Sequence, residues 1–88
     1  MNGKKQDVLI EDVKTTDLRT GVQSISQRTV DVWADAGMKD VIAAVAGVTH
    51  VFADTGETRY WVWLDPRYDR AYVLLEIEAA ILCAGGEA

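Results

Sequence analysis

The chain has one cysteine, one proline and one histidine, and it contains few cations. A lone cysteine, Cys83, excludes an intramolecular disulfide and a cysteine-rich zinc site. It also points to a reducing, cytoplasmic setting. No apolar run approaches the roughly 18 residues that a membrane-spanning helix needs, so no membrane partner is expected. The amino-terminal stretch carries Lys4 and Lys5 without a long apolar run behind them, and does not read as a signal peptide. Lysine and arginine number 9 against 14 acidic residues, for a net charge of −5. Phosphate backbones and anionic lipid surfaces attract cations, so this acidic balance argues against nucleic-acid and membrane-surface binding.

What is present is ordinary globular material. The 88 residues suffice for one domain, and 49% of them are hydrophobic. A chain of this size buries about 60–65% of its unfolded surface, which limits it to a two-layer core. Residues 1–6 read as a frayed terminus, 7–84 as a single α+β domain and 85–88 as a tail. Residues 8–13 are rich in β-formers and predict a strand. Residues 14–21 read as a turn region. In 22–34, Val30, Val32 and Ala34 alternate with Asp31 and Trp33, which predicts a strand over the second half. A helix competes for 16–36, because Leu18, Val22, Ile25, Thr29, Val32 and Trp33 also fit helical spacing, with Asp17 as its cap. A short helix is expected over 38–46, with Val41, Ile42 and Val45 inward and Gly47 closing its end. Residues 48–53 and 58–64 read as a hairpin around Asp54, Thr55 and Gly56, with Gly56 at the positive-φ position. Pro66 ends the second strand. Residues 69–83 form a helix, with Asp69 as its cap and Leu74, Ile77 and Ile81 on one face.

The cadence of residues 41–81 is a helix ending Ala-Val-Ala-Gly-Val, a strand, a Thr-Gly turn, a strand ending in Asp-Pro, and a second helix. It resembles the heavy-metal-associated domain and its ferredoxin-like relatives. That resemblance implies a four-stranded antiparallel sheet with two helices on one face. It does not carry the metal activity over. The family's loop holds a Cys-x-x-Cys pair, whereas the matching residues here are Ala34, Asp35, Ala36, Gly37, Met38 and Lys39. The family's last strand is also missing, and an extra strand, 8–13, stands in front. In the ferredoxin-like sheet that last strand lies beside the first. The order β-β-α-β-β-α is therefore a circular permutation of β-α-β-β-α-β, and a two-layer sandwich results.

On that plan Val30, Val32, Val51, Ala53, Tyr60, Val62 and Leu64 face the helices. Asp31, Trp33, His50, Phe52, Arg59, Trp61 and Trp63 face the other way. Each large aromatic can bury about 150–250 Å². Trp33, Phe52, Trp61 and Trp63 together would match or exceed the roughly 300–600 Å² of the largest patch on a typical monomer. Trp33, His50, Phe52, Trp61 and Trp63 are the candidate binding residues. The expected function is a non-catalytic interaction module, forming a homodimer through this face. Alternatives are a cover formed by the N-terminal segment or residues 14–28, or a protein or small-molecule ligand using the face as a pocket wall, as a binding protein or minor enzyme. An open aromatic sheet is also where RNA-recognition motifs stack bases. Only Arg28 and Arg59 lie near this one, however, and the motif's aromatic-basic signature is absent.

The remaining chemical motifs read as structure. Asp54-Thr55-Gly56 matches the aspartic-protease signature but is good hairpin chemistry. His50 has no assignable partner, and Glu11 and Asp12 would point to opposite faces of a strand. Cys83 is expected at a helix C-terminus, whose dipole does not favour a thiolate, and so is a poor nucleophile candidate. No catalytic residue, metal site or cofactor is expected.

Overall fold

A computed structural model describes residues 8–56 and 58–85. The expected frayed terminus, 1–6, and residues 86–88 of the expected tail lie outside them, while Gly85 still belongs to the last helix. The elements are β1 (Leu9–Thr16), β2 (Gln23–Trp33), α1 (Lys39–Ala43), β3 (Val48–Ala53), β4 (Arg59–Leu64) and α2 (Arg70–Gly85). The four strands make one antiparallel sheet in the order β1-β2-β4-β3.

Strand wins over helix in the contested stretch because β2 is paired on both sides. Its inner half buries Val30 and Val32 completely between β1 and β4. Asp17 caps no helix. Its carboxylate accepts the Arg19 N–H at 2.8 Å, and its backbone N–H donates to the Val22 carbonyl at 2.9 Å. The turn is thus confined to 17–22, and strand extends through residues assigned above to turn on one side and to the undecided half of 22–34 on the other. Register jumps from Asp12↔Val30 to Lys14↔Ile25. The extra β2 residues fold around Ser26, whose Oγ accepts the N–H groups of Arg28 and Thr29 at 3.3 and 3.2 Å. Beyond this bulge the two strands pair only with each other, and residues 14–25 are all exposed.

The core lies on one side of the sheet. Val30, Val32, Tyr60, Val62 and Leu64 meet Ile42 of α1 and Val73, Ile77 and Ile81 of α2. Burying each such aliphatic side chain contributes about 1.5–3 kcal/mol. Val51 and Ala53 are half-buried against the same cluster. The α2 stripe is rotated from expectation: Val73 sits at the centre, and Leu74 at its margin. Asp69 caps α2 as expected, its Oδ2 accepting the Tyr72 N–H at 3.1 Å. Helix α1 is shorter than the expected 38–46. The chain tightens after Ala43, with the Val45 N–H donating to the Ile42 carbonyl at 3.1 Å, and Gly47 turns at φ 97°. Tyr60, fully buried, donates its hydroxyl to the Asp35 carbonyl at 2.8 Å and accepts the Met38 N–H at 3.1 Å. A central strand thereby holds the loop leading into α1.

The β3–β4 hairpin closes differently from expectation. Gly56 is not in the positive-φ region. The Asp54 carboxylate organises the turn instead, accepting the Thr55 N–H at 2.8 Å, while the Asp54 N–H donates to the Arg59 carbonyl at 2.8 Å.

Candidate functional site: the open face of the sheet

Strand register orders the side of the sheet away from the helices into rows. Leu9, Trp33 and Arg59 form one; Glu11, Asp31, Trp61 and Phe52 form the next; Thr29, Trp63 and His50 form the third. All five candidate residues named from the sequence (Trp33, His50, Phe52, Trp61 and Trp63) therefore share this face.

Arg59 is its centre. The guanidinium carbon lies 5.0 Å from the Trp33 ring centroid and 5.1 Å from that of Trp61. Its Nη2 donates to Asp31 Oδ2 at 3.0 Å. A cation between two indoles is attracted by both ring quadrupoles. The indole N–H of Trp33 in turn donates to Glu11 Oε1 at 3.3 Å. The Arg59–Asp31 pair is partly shielded, and Asp31 Oδ1 and Arg59 Nε are buried without a hydrogen-bond partner in the protein. Beside this cluster, Phe52 and Trp63 meet edge to face, with centroids 5.8 Å apart at 68°.

The exposure is uneven. Phe52 is 61% exposed, Leu9 52% and Trp33 37%, whereas Trp61 and Trp63 are half-buried among their neighbours. The apolar patch is therefore carried by Phe52, Leu9 and Trp33 on a bed of the other two tryptophans. Of residues 14–28, the alternative cover on the sequence reading, 14–25 form the exposed ribbon and Arg28 lines a groove beside the face.

A groove of about 490 Å³ runs along one side of the face, lined by Arg28, Thr49, His50, Phe52 and Trp63. A bulge in β3 lies along it. Val48 pairs with Leu64 and His50 with Trp63, so Thr49 is an extra residue whose hydroxyl donates to the Trp63 carbonyl at 3.2 Å. Arg28 makes no ion pair among the described residues. Leu9, Glu11, Thr49 and Arg28 were not among the candidates. The spacing Val48–Val51, two inward residues three apart, is the one sequence signal of the bulge.

The other motifs sit away from this face or inside local structure. Asp12 lies on the helix side and accepts Arg70 Nη2 at 2.6 Å, so Glu11 and Asp12 do point to opposite faces. Asp65 is clasped by Arg67 at 2.7 Å, and the guanidinium and backbone N–H of Arg67 hold its carboxyl down to about 2. Cys83 is exposed on α2. Among the described residues no three His, Cys, Asp or Glu side chains gather as a metal site would need. No helix among them is long and apolar enough to cross a membrane.

Fold and face together define a small α+β domain, its antiparallel sheet covered on one side and open and aromatic on the other. No protein-family model matches the chain, and no curated protein or solved structure matches it either.

Proposed function

We propose that this chain is a small non-catalytic interaction module of the cytoplasm that self-associates through the open aromatic face. The fold we assign to it is a ferredoxin-like two-layer sandwich in circularly permuted order. The strand order β1-β2-β4-β3, with β1 beside β2, supports the permutation, because it is the order reached by moving the family's last strand to the front. The single free thiol supports a reducing compartment.

One observation carries the self-association: Leu9 and Trp33 are exposed as cross-strand neighbours, and Phe52 is exposed on the far edge of the same open face, beyond Arg59 and Trp61. A two-fold axis through the face would double this patch into one interface, each copy using the same residues. Sheets stack about 10 Å apart, a distance at which such side chains interdigitate. Arg59, lying between indoles and tied to Asp31, supplies a rigid polar centre rather than a loose charge. Sedimentation velocity at tens of micromolar tests this. The native chain is expected to run as a dimer, and Phe52→Glu as a folded monomer. A native chain that sediments as a monomer sinks the proposal.

The groove beside Phe52 favours a second reading. Its volume lies within the range of about 300–1,000 Å³ typical of small-molecule sites. Arg28 and His50 at its rim, with Phe52 and Trp63 as walls, suit a flat apolar ligand bearing an anionic group. Naphthoate is a fitting probe. Quenching of tryptophan fluorescence that Arg28→Ala abolishes would support this reading, and unchanged fluorescence would remove it.

A further inference from the structure

Helix α2 is apolar on the side its own core does not use. Val73, Ile77 and Ile81 are fully buried against the sheet. Tyr72, Leu75, Ala79 and Leu82 lie on the outer side, and the three large ones are 55%, 63% and 44% exposed. A helix lying on a protein surface normally turns a polar face to water, and one that is apolar all round is normally buried on both sides. The outer residues recur at steps of three, four and three. That is the a/d spacing of a helix–helix seam. Glu76 and Glu78 flank the seam at e and g positions, and they are the charged residues among the exposed positions of 71–84. Next to it, between α1 and α2, runs a groove of about 410 Å³ lined by Val41, Val45, Glu76, Ala79, Ala80 and Cys83. Its volume leaves room for an apolar side chain from a docked helix.

We infer that this seam docks an amphipathic helix of a different protein, with leucine-sized residues facing Leu75 and Leu82 and lysine or arginine flanking them. Charge selects the occupant. An antiparallel pair of α2 helices centred on Ile77 would bring Glu76 near Glu76 and Glu78 near Glu78 of the second copy. A parallel pair would offer them no cation. Arg70, the basic residue of α2, is already held by Asp12. Like-charge neighbours on helices are unfavourable, and opposite charges at the same positions are favourable by similar amounts. The seam faces away from the sheet, so its occupancy is independent of the proposed dimer.

The test uses two synthetic three-heptad helical peptides with leucine at a and d, one flanked by lysine and the other by glutamate. Cys83, the sole cysteine, lines the groove, so its alkylation rate reports occupancy directly. The lysine-flanked peptide is expected to slow alkylation and the glutamate-flanked one to leave it unchanged. Leu75→Glu, at an exposed site, should weaken the protection about tenfold or more, as loss of a central interface anchor does. The double variant Glu76→Lys, Glu78→Lys should exchange the preference between the peptides. Equal protection by both peptides, or by neither, overturns the inference. So does a dimer that Leu75→Glu breaks and Phe52→Glu leaves intact, since that would make the seam a self-contact.

Discussion

Gly47 shows how much of this fold rests on single positions. It sits where the chain leaves α1 for β3, at φ 97°. A Cβ there would come within 2.6 Å of Val73 Cγ2 and 3.2 Å of the Tyr68 ring. Its carbonyl accepts the Asp65 N–H at 2.8 Å, so it also ties the end of β4 to the start of β3. Gly47→Ala therefore combines two penalties. The left-handed backbone costs about 1–2 kcal/mol with a side chain present. Overpacking a closed core adds about 1–3 kcal/mol. Gly37 provides the control, because its φ is 87° but nothing lies within 4 Å of its would-be Cβ. In urea unfolding, Gly37→Ala should lose only the backbone part, and Gly47→Ala about 2–5 kcal/mol in all. Equal losses would show that Val73 and Tyr68 yield freely.

At the scale of the element, legibility in the sequence followed the strength of periodic burial. The strand over 59–64 was plain because Tyr60, Val62 and Leu64 alternate with Trp61 and Trp63, and the structure buries the first three and half-buries the others. The hairpin partner was plain from its β-formers beside the Asp-Thr-Gly turn, and α2 from the helix-forming run Glu-Ile-Glu-Ala-Ala-Ile-Leu rather than from periodicity. Strand β2 was ambiguous because Leu18, Val22 and Ile25, which suggested a helix, are exposed ribbon residues with no core to serve. Their apolarity misled a reading that equates apolar with buried. The rotation of the α2 stripe has a related cause. Leu75 and Leu82 are as apolar as Val73, Ile77 and Ile81, and Tyr72 adds a large ring beside them, so the periodicity did not distinguish the inner face. Glu11 and Leu9 were missed at the site because nothing local sets the register of β1. It follows from the pairings Leu9↔Trp33 and Glu11↔Asp31, which are separated from the connecting turn by a bulge that the sequence does not announce.

For the molecule as a whole, the proposed dimer makes stability a function of concentration. A subunit that binds its like only when folded gains free energy by mass action, so its melting temperature rises with protein concentration. A tenfold rise in concentration shifts the free energy of a dimer by about 1.4 kcal/mol, which is shared between two subunits. For domains of this size that corresponds to a shift of about 3–6 °C in Tm. The native chain should show this rise over a tenfold dilution series, and Phe52→Glu should show none. The contrast is informative because Phe52 is 61% exposed and contributes little to its own subunit's core. Trp61→Ala with Trp63→Ala is a weaker test, since both rings are half-buried and Trp61 lies against Arg59. That pair should lower Tm at every concentration as well as removing its concentration dependence. A native Tm that stays flat across the series would mean that the aromatic face is stable in water as it stands.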